Sequence, residues 1–172
     1  MKQRTNYGNW VPATILRISY GCAAAFLLAF LFSAFCWHNC WAAVITGLLA
    51  LAAVVIAVFM QVCHHTFSFN GGGLMGEIHQ FLIDHLNWNG QGTLLDIGCG
   101  AGALTNRCAK QFPEATLQGM DYWGMGWDYA KEQCERNAEI EGVADRVTFS
   151  KGDASKLDFA DESFDAAVSN FV

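Results

Sequence analysis

The chain has 172 residues, 53% of them hydrophobic and 15% charged, with 16 acidic against 10 basic side chains and a formal net charge of −6. The charges are unevenly spread: every acidic residue lies from Glu77 onward, while residues 1–69 hold only the basic Lys2, Arg4 and Arg17. The acidic part has no basic stripe to meet phosphates, which excludes a nucleic-acid substrate, and the uncharged runs of the first third are too long for an ordinary soluble core.

Ile18 to Trp37 and Trp41 to Val62 run for about 20 and about 22 residues without a charge, each enough to cross a bilayer core as a helix. Only His38, Asn39 and Cys40 stand between them, so residues 1–69 are expected to form a membrane anchor with two transmembrane helices, 18–37 and 41–62, in a tight antiparallel hairpin. Trp37 and Trp41 bracket the turn as interfacial anchors, and Trp10 does the same near the other face. The basic residues precede the first span and the turn has none, which places the N-terminus in the cytoplasm. An even number of crossings then returns the rest of the chain to that side, so the expectation is a multi-pass cell-membrane protein whose N-terminus and later residues are cytoplasmic. A cleaved signal peptide within Met1 to Ala34 is the rival reading, and the second span counts against it. A buried soluble hairpin is another, against which the length of the runs counts. The cysteines at 22, 36, 40, 63, 99, 108 and 134 form no C-x-x-C pair and no metal-ligand spacing, so no metal site is expected. His64 and His65 lack a ligand-spaced partner and read as interfacial.

Asn70-Gly71-Gly72-Gly73 reads as a flexible linker (70–73) ahead of a second domain, 74–172. Leu74, Ile78, Phe81, Leu82 and Leu86 fall at helical spacing, and Asn87 to Gly92 is a loop. Strand 93–97, helix 102–111, strand 116–120, helix 126–141, strand 146–150 and strand 164–171 follow, in the βαβ rhythm of a doubly wound α/β sheet of the Rossmann-like kind, with Pro113 ending the first crossover helix.

Leu94-Leu95-Asp96-Ile97-Gly98-Cys99-Gly100-Ala101-Gly102 is an apolar strand running into an acid and then three alternate glycines, the form of a nucleotide-cofactor loop at a helix start. Gly98-x-Gly100-x-x-Ala103 also satisfies the dinucleotide fingerprint. Asp96 separates the two readings, because NAD has no ammonium for a carboxylate there, whereas S-adenosylmethionine carries an amino acid head and a sulfonium. The stretch resembles the first motif, hh[D/E]hGxGxG, of the class I S-adenosylmethionine-dependent methyltransferases. Asp121 ends a second strand where the resemblance implies an acid accepting from both ribose hydroxyls. Arg146 to Ala154 resembles the family's third strand ending in G-D-A, which implies that Asp153 and Ala154 meet the adenine. Phe164 to Asn170 resembles the fourth strand, whose end, at Ser169, implies contact with the methionine part. Tyr122 and Trp123 are candidates to pack on the adenine, Cys99 is a small filler within the loop, and Asn170 is a candidate for substrate contact. Each acid also has a plain structural role open to it: Asp96 as a helix cap, Asp121 as a turn former, Asp153 as a loop acid. No base for the acceptor is identifiable.

The combined expectation is a membrane-anchored methyltransferase that uses S-adenosylmethionine on a small or lipid-like acceptor. An NAD(P)-dependent oxidoreductase and a non-catalytic cofactor-binding membrane module are the alternatives. The chain stops at the fourth strand, where the family's later strands normally follow, so a fragment of a longer enzyme is expected.

Overall fold

Pro12 stands at the head of the first helix, where its missing N–H removes no helical hydrogen bond. The structure, a computed structural model, describes residues 4–69, 73–124 and 131–171. The chain forms two units, Asn9–Leu74 on one side and Met1–Gly8 with Met75–Val172 on the other.

In the first unit α1 (Ala13–Leu31) continues into a π-helical turn, Phe32–Cys36, and α2 covers Cys40–Phe67. The Asn39 side chain accepts from the Ala42 backbone N–H at 3.0 Å and caps α2. Both helices extend beyond the stretches 18–37 and 41–62 at one end or the other. α1 starts ahead of Arg17, whose guanidinium bonds back to the Ala13 carbonyl, and α2 continues past Val62 to Phe67. A charge marks a water-facing position on a helix and need not mark its end. The helices meet through small residues: Ala23, Ala53 and Ala57 are buried together, and Gly47 admits the Phe30 ring so closely that a Cβ there would lie 3.1 Å from it. The large apolar side chains point away, with Leu28 66%, Leu48 64% and Phe59 60% exposed. Small residues thus fill the seam between the helices and the large apolar ones lie outside it, the reverse of the usual burial order. Both segments, Ala13–Cys36 and Cys40–Phe67, are long and apolar enough to cross a membrane, with mean hydropathies of 2.0 and 2.8. At the open end of the hairpin, Asn9 Nδ2 donates to the His64 carbonyl at 2.7 Å, and His64 Nδ1 lies 2.7 Å from the Val11 carbonyl. Ala57→Leu is expected to overfill the seam at a cost of about 1–3 kcal/mol. Thermal unfolding in detergent should show the loss, while Leu48→Ala on the outward face should leave the midpoint in place.

The second unit runs α3 (Leu74–Asp84), β1 (Gly92–Ile97), α4 (Ala103–Gln111), β2 (Ala115–Asp121), α5 (Lys131–Glu141), β3 (Val147–Lys151) and β4 (Ala166–Ser169). The strands form one sheet in the order β3-β2-β1-β4, parallel throughout, with Asp96 opposite Gly119 and Val168 and with Asp121 opposite Lys151. Leu94, Leu117, Val147, Phe149 and Val168 meet Leu104, Cys108, Ala109, Cys134 and Ala138 of α4 and α5 in one core. The expected doubly wound sheet is present, with β1 and β4 at its switch point. The fourth strand is shorter than 164–171: Phe164 packs edge-on against Phe159, and the Asp165 carboxylate takes the Thr93 backbone N–H at 2.7 Å. The buried stripe of α3 is Met75, His79 and Ile83, one position off the apolar set read from the sequence. Residues 70–72 of the expected linker and 126–130 of the expected fifth helix lie outside the described residues.

Residues 4–8, grouped by sequence with the anchor, hydrogen-bond within this second unit. Asn6 N–H donates to Asn137 Oδ1 at 2.9 Å, and Asn137 Nδ2 returns a bond to the Asn6 carbonyl at 2.8 Å. Gln133 also donates to that carbonyl at 2.7 Å. The Tyr7 hydroxyl donates to Glu141 at 3.1 Å and accepts from Asn106 at 3.3 Å.

Candidate functional site

β1 hands the chain to a loop in which Gly98, Gly100 and Gly102 all have positive φ, 73°, 56° and 79°. At Gly102 a side chain is doubly unfavourable, because its Cβ would also come within 3.0 Å of the Phe149 ring. The neighbouring strand fixes the loop. The Met120 carbonyl accepts from the N–H groups of Gly98 at 2.7 Å and Cys99 at 3.0 Å, and Asp121 Oδ2 accepts from Gly100 N–H at 2.8 Å. On the helix side, Trp123 Nε1 donates to the Gly100 carbonyl at 2.9 Å and Asn137 Nδ2 to the Ala101 carbonyl at 3.0 Å. Asn137 is fully buried, so one side chain joins the loop to residues 4–8. Asn137→Ala leaves the Ala101 carbonyl without that donor and removes both bonds to Asn6. A loss of about 1–3 kcal/mol is expected, seen as a lower unfolding midpoint with faster hydrogen exchange at residues 4–8.

Asp96 is 0% exposed. Its Oδ2 accepts from Thr105 Oγ1 at 2.6 Å, and its Oδ1 has no partner. Burial pushes the carboxyl up to about 6; the Thr105 bonds oppose this and the charge of Asp121 adds to it. Asp121 is half-buried and uses both oxygens, the second accepting from Trp123 N–H at 2.8 Å. Tyr122 is exposed, with Lys151 Nζ 5.1 Å from its ring centroid. Asp153 and Ala154 are exposed. Asp153 accepts from both the N–H and the hydroxyl of Ser155, at 2.8 and 2.7 Å, and these bonds hold its carboxyl below the usual range. Cys99 is buried. Hydrogen bonding with Cys134, and then burial, keep its thiol far above the ordinary range, so it is no nucleophile. Ser169 lies opposite Ile97 at the tip of β4.

Asp96, the glycine loop, Asp121, Asp153 and Ser169 thus all stand at the C-terminal edge of one parallel sheet, where open α/β sheets bind ligands. Asn170 follows, and its Nδ2 lies 3.0 Å from His79 Nε2. His79, Thr105 and Asn137 have no place in the sequence reading. His79 is 4% exposed, and burial, with the charge of Arg107 adding, lowers it to about 4, so the ring is neutral at physiological pH. The available signal was its spacing of four from Met75 and Ile83, which puts a titratable ring in an otherwise apolar stripe.

Residues 94–172 match the family model described as "Methyltransferase domain". The sterol 24-C-methyltransferase of Yarrowia lipolytica is 38% identical over 73 residues, 42% of this chain and 18% of that protein. The biotin biosynthesis bifunctional protein BioHC of Teredinibacter turnerae is 32% identical over 111 residues, 62% of this chain and 16% of that one. A solved S-adenosylmethionine-dependent methyltransferase of Thiobacillus denitrificans, in complex with S-adenosyl-L-homocysteine, aligns at 30% identity and a TM-score of 0.44, over 54% of this chain and 35% of that one. The chain spans less than one fifth of the length of the two curated relatives.

Proposed function

Because residues 94–172 belong to the class I S-adenosylmethionine-dependent methyltransferases, we propose that this chain binds S-adenosylmethionine along the C-terminal edge of its sheet and, held at a membrane, directs the methyl group to a lipophilic acceptor. The observation that carries this reading is Asp96 Oδ1, a fully buried carboxylate oxygen with no partner beside a loop of left-handed glycines. Such an atom is costly unless a donor, best a cationic one, completes it. Asp96 and the glycine loop would hold the amino acid end. Asp121, whose oxygens keep further acceptor capacity, would take the ribose hydroxyls. Asp153 and Ala154 would meet the adenine edge, with Tyr122 and Cys99 lining the path and Ser169 beside the methionine chain. S-adenosylmethionine, when bound, supplies a methyl group on an excellent leaving group, so the protein's task is mostly positioning.

The inside-out hairpin supports the membrane part of the reading, since α1 and α2 turn their large apolar side chains outward. One relative is named for a sterol substrate, and an enzyme seated in a bilayer meets acceptors dissolved there. Lys2 and Arg4 ahead of the first span, with Arg17 in its second turn, support a cytoplasmic N-terminus and a cytoplasmic α/β unit. Cys36 and Cys40, exposed and free near the turn, should then react with a membrane-impermeant maleimide added to intact cells. Labelling only after lysis would reverse the orientation.

Calorimetry on the full chain in detergent micelles tests the cofactor. S-adenosylhomocysteine should bind and NAD should not. Tight NAD binding with no response to S-adenosylhomocysteine would favour an oxidoreductase and overturn the proposal.

A further inference from the structure

The hydrogen bond between His79 and Asn170 joins the helix ahead of the sheet to the tip of its fourth strand, across 91 positions of sequence. Ser169 is in register with Ile97, so Asn170 comes level with Gly98, the first residue of the glycine loop. Along the sheet edge the order is Asp153 after β3, Asp121 at the end of β2, the loop after β1, and Asn170 after β4. Neighbouring strands are about 4.8 Å apart, roughly the step from one ring of a nucleoside to the next. A nucleoside with its base at β3 and its ribose at β2 therefore carries its 5′ substituent toward β1 and β4.

Resting on the methyltransferase reading above, we propose that Asn170 faces the sulfonium and its methyl group, and that His79 is the positioning residue that turns the Asn170 carboxamide so that its oxygen meets them. Burial and Arg107 keep the imidazole neutral, and within this proposal its proton sits on Nδ1, so that Nε2 accepts. The bond then comes from Asn170 Nδ2 and leaves Oδ1 for the site. A cationic ring at this place would repel the sulfonium, and the apolar stripe around His79 prevents that. The carboxamide oxygen suits methyl transfer better than a carboxylate does. It attracts the polarised methyl hydrogens without adding a full charge, which would favour the sulfonium before transfer and lose its partner as that charge disappears.

The test compares S-adenosylmethionine with S-adenosylhomocysteine, which lacks the positive charge and the methyl group, by calorimetry on the full chain in detergent. Asn170→Ala should lower the preference for S-adenosylmethionine about threefold. His79→Gln with Asn170→Asp, in which no imidazole can take the new carboxylate's proton, should raise that preference at least about fivefold, since a charge-assisted contact is stronger than a neutral one. His79→Ala should reproduce the Asn170→Ala result, with thermal unfolding recorded alongside. If both Asn170 variants bind the two ligands in the wild-type ratio, the placement of Asn170 is wrong. If Asn170→Ala changes the ratio but a folded His79→Ala does not, the positioning role of His79 is wrong. Failure of the wild-type chain to bind either ligand would overturn the methyltransferase reading itself.

Discussion

Asp96→Asn is expected to abolish most cofactor affinity while gaining stability relative to the wild type as the pH rises. The Asp96 carboxyl titrates near 3.8 when unfolded and near 6 when folded. The folded state therefore binds the proton more tightly, and its stability falls as pH rises from about 4 to about 6. Above that window the full cost is present, about 3 kcal/mol for a shift of this size. Asparagine keeps an acceptor for Thr105 but carries no charge, so it escapes this loss. Its amide nitrogen takes the place of the unpartnered oxygen at a pH-independent cost of about 1–3 kcal/mol. Chemical unfolding of the two proteins at pH 4 and pH 7 should therefore show the difference moving toward the variant by about 3 kcal/mol; no movement would mean that the buried carboxyl is not raised. Affinity for S-adenosylhomocysteine should fall about 30-fold at pH 7.5, the loss of one charge-assisted bond of about 2 kcal/mol. In the wild type that affinity should rise with pH through 6, because the ligand's ammonium needs the ionised carboxylate.

Asp121→Asn should damage both properties at once. Asp121 accepts from two backbone N–H groups, those of Gly100 and Trp123, with one oxygen each. Asparagine offers one oxygen and sets an NH2 against the other donor, so one backbone group loses its partner and meets a second donor. A stability loss of about 1–3 kcal/mol follows. The Gly100 N–H bond also shapes the loop beside the ligand, so affinity for S-adenosylhomocysteine should drop at least about 100-fold, corresponding to about 2.7 kcal/mol. Unfolding and calorimetry on the same samples check both. A variant that binds normally would assign Asp121 a turn-forming role alone.

The opposite responses of two neighbouring acids show what could be read from sequence. Gly98, Gly100 and Gly102 were legible because left-handed turns demand that residue type locally, and Asp96 and Asp121 because strand tips are marked by the end of an apolar run. Which acid is buried alone and which serves as a bracket for two N–H groups was not legible, since this depends on where the fold brings Thr105 and Gly100. His79 was hidden for a similar reason: a histidine in an apolar helix stripe declares burial but not its partner 91 positions away. The fourth strand was overextended because apolar residues continue at Phe164, where the ring turns to Phe159 and leaves the ladder. The first apolar helix begins ahead of the run read from sequence because Arg17 looked like a boundary.

Residues 4–8 fold with residues 75–171 while Asn9–Leu74 form a unit of their own, so the apolar hairpin is an insertion into the α/β unit, leaving it at Gly8 and rejoining it at Met75. The chain therefore passes between the two units twice, where an appended segment would pass once. Asn137 spans that insertion in sequence: its bonds to Asn6 and to the Ala101 carbonyl tie the stretch ahead of the hairpin to the glycine loop beyond it.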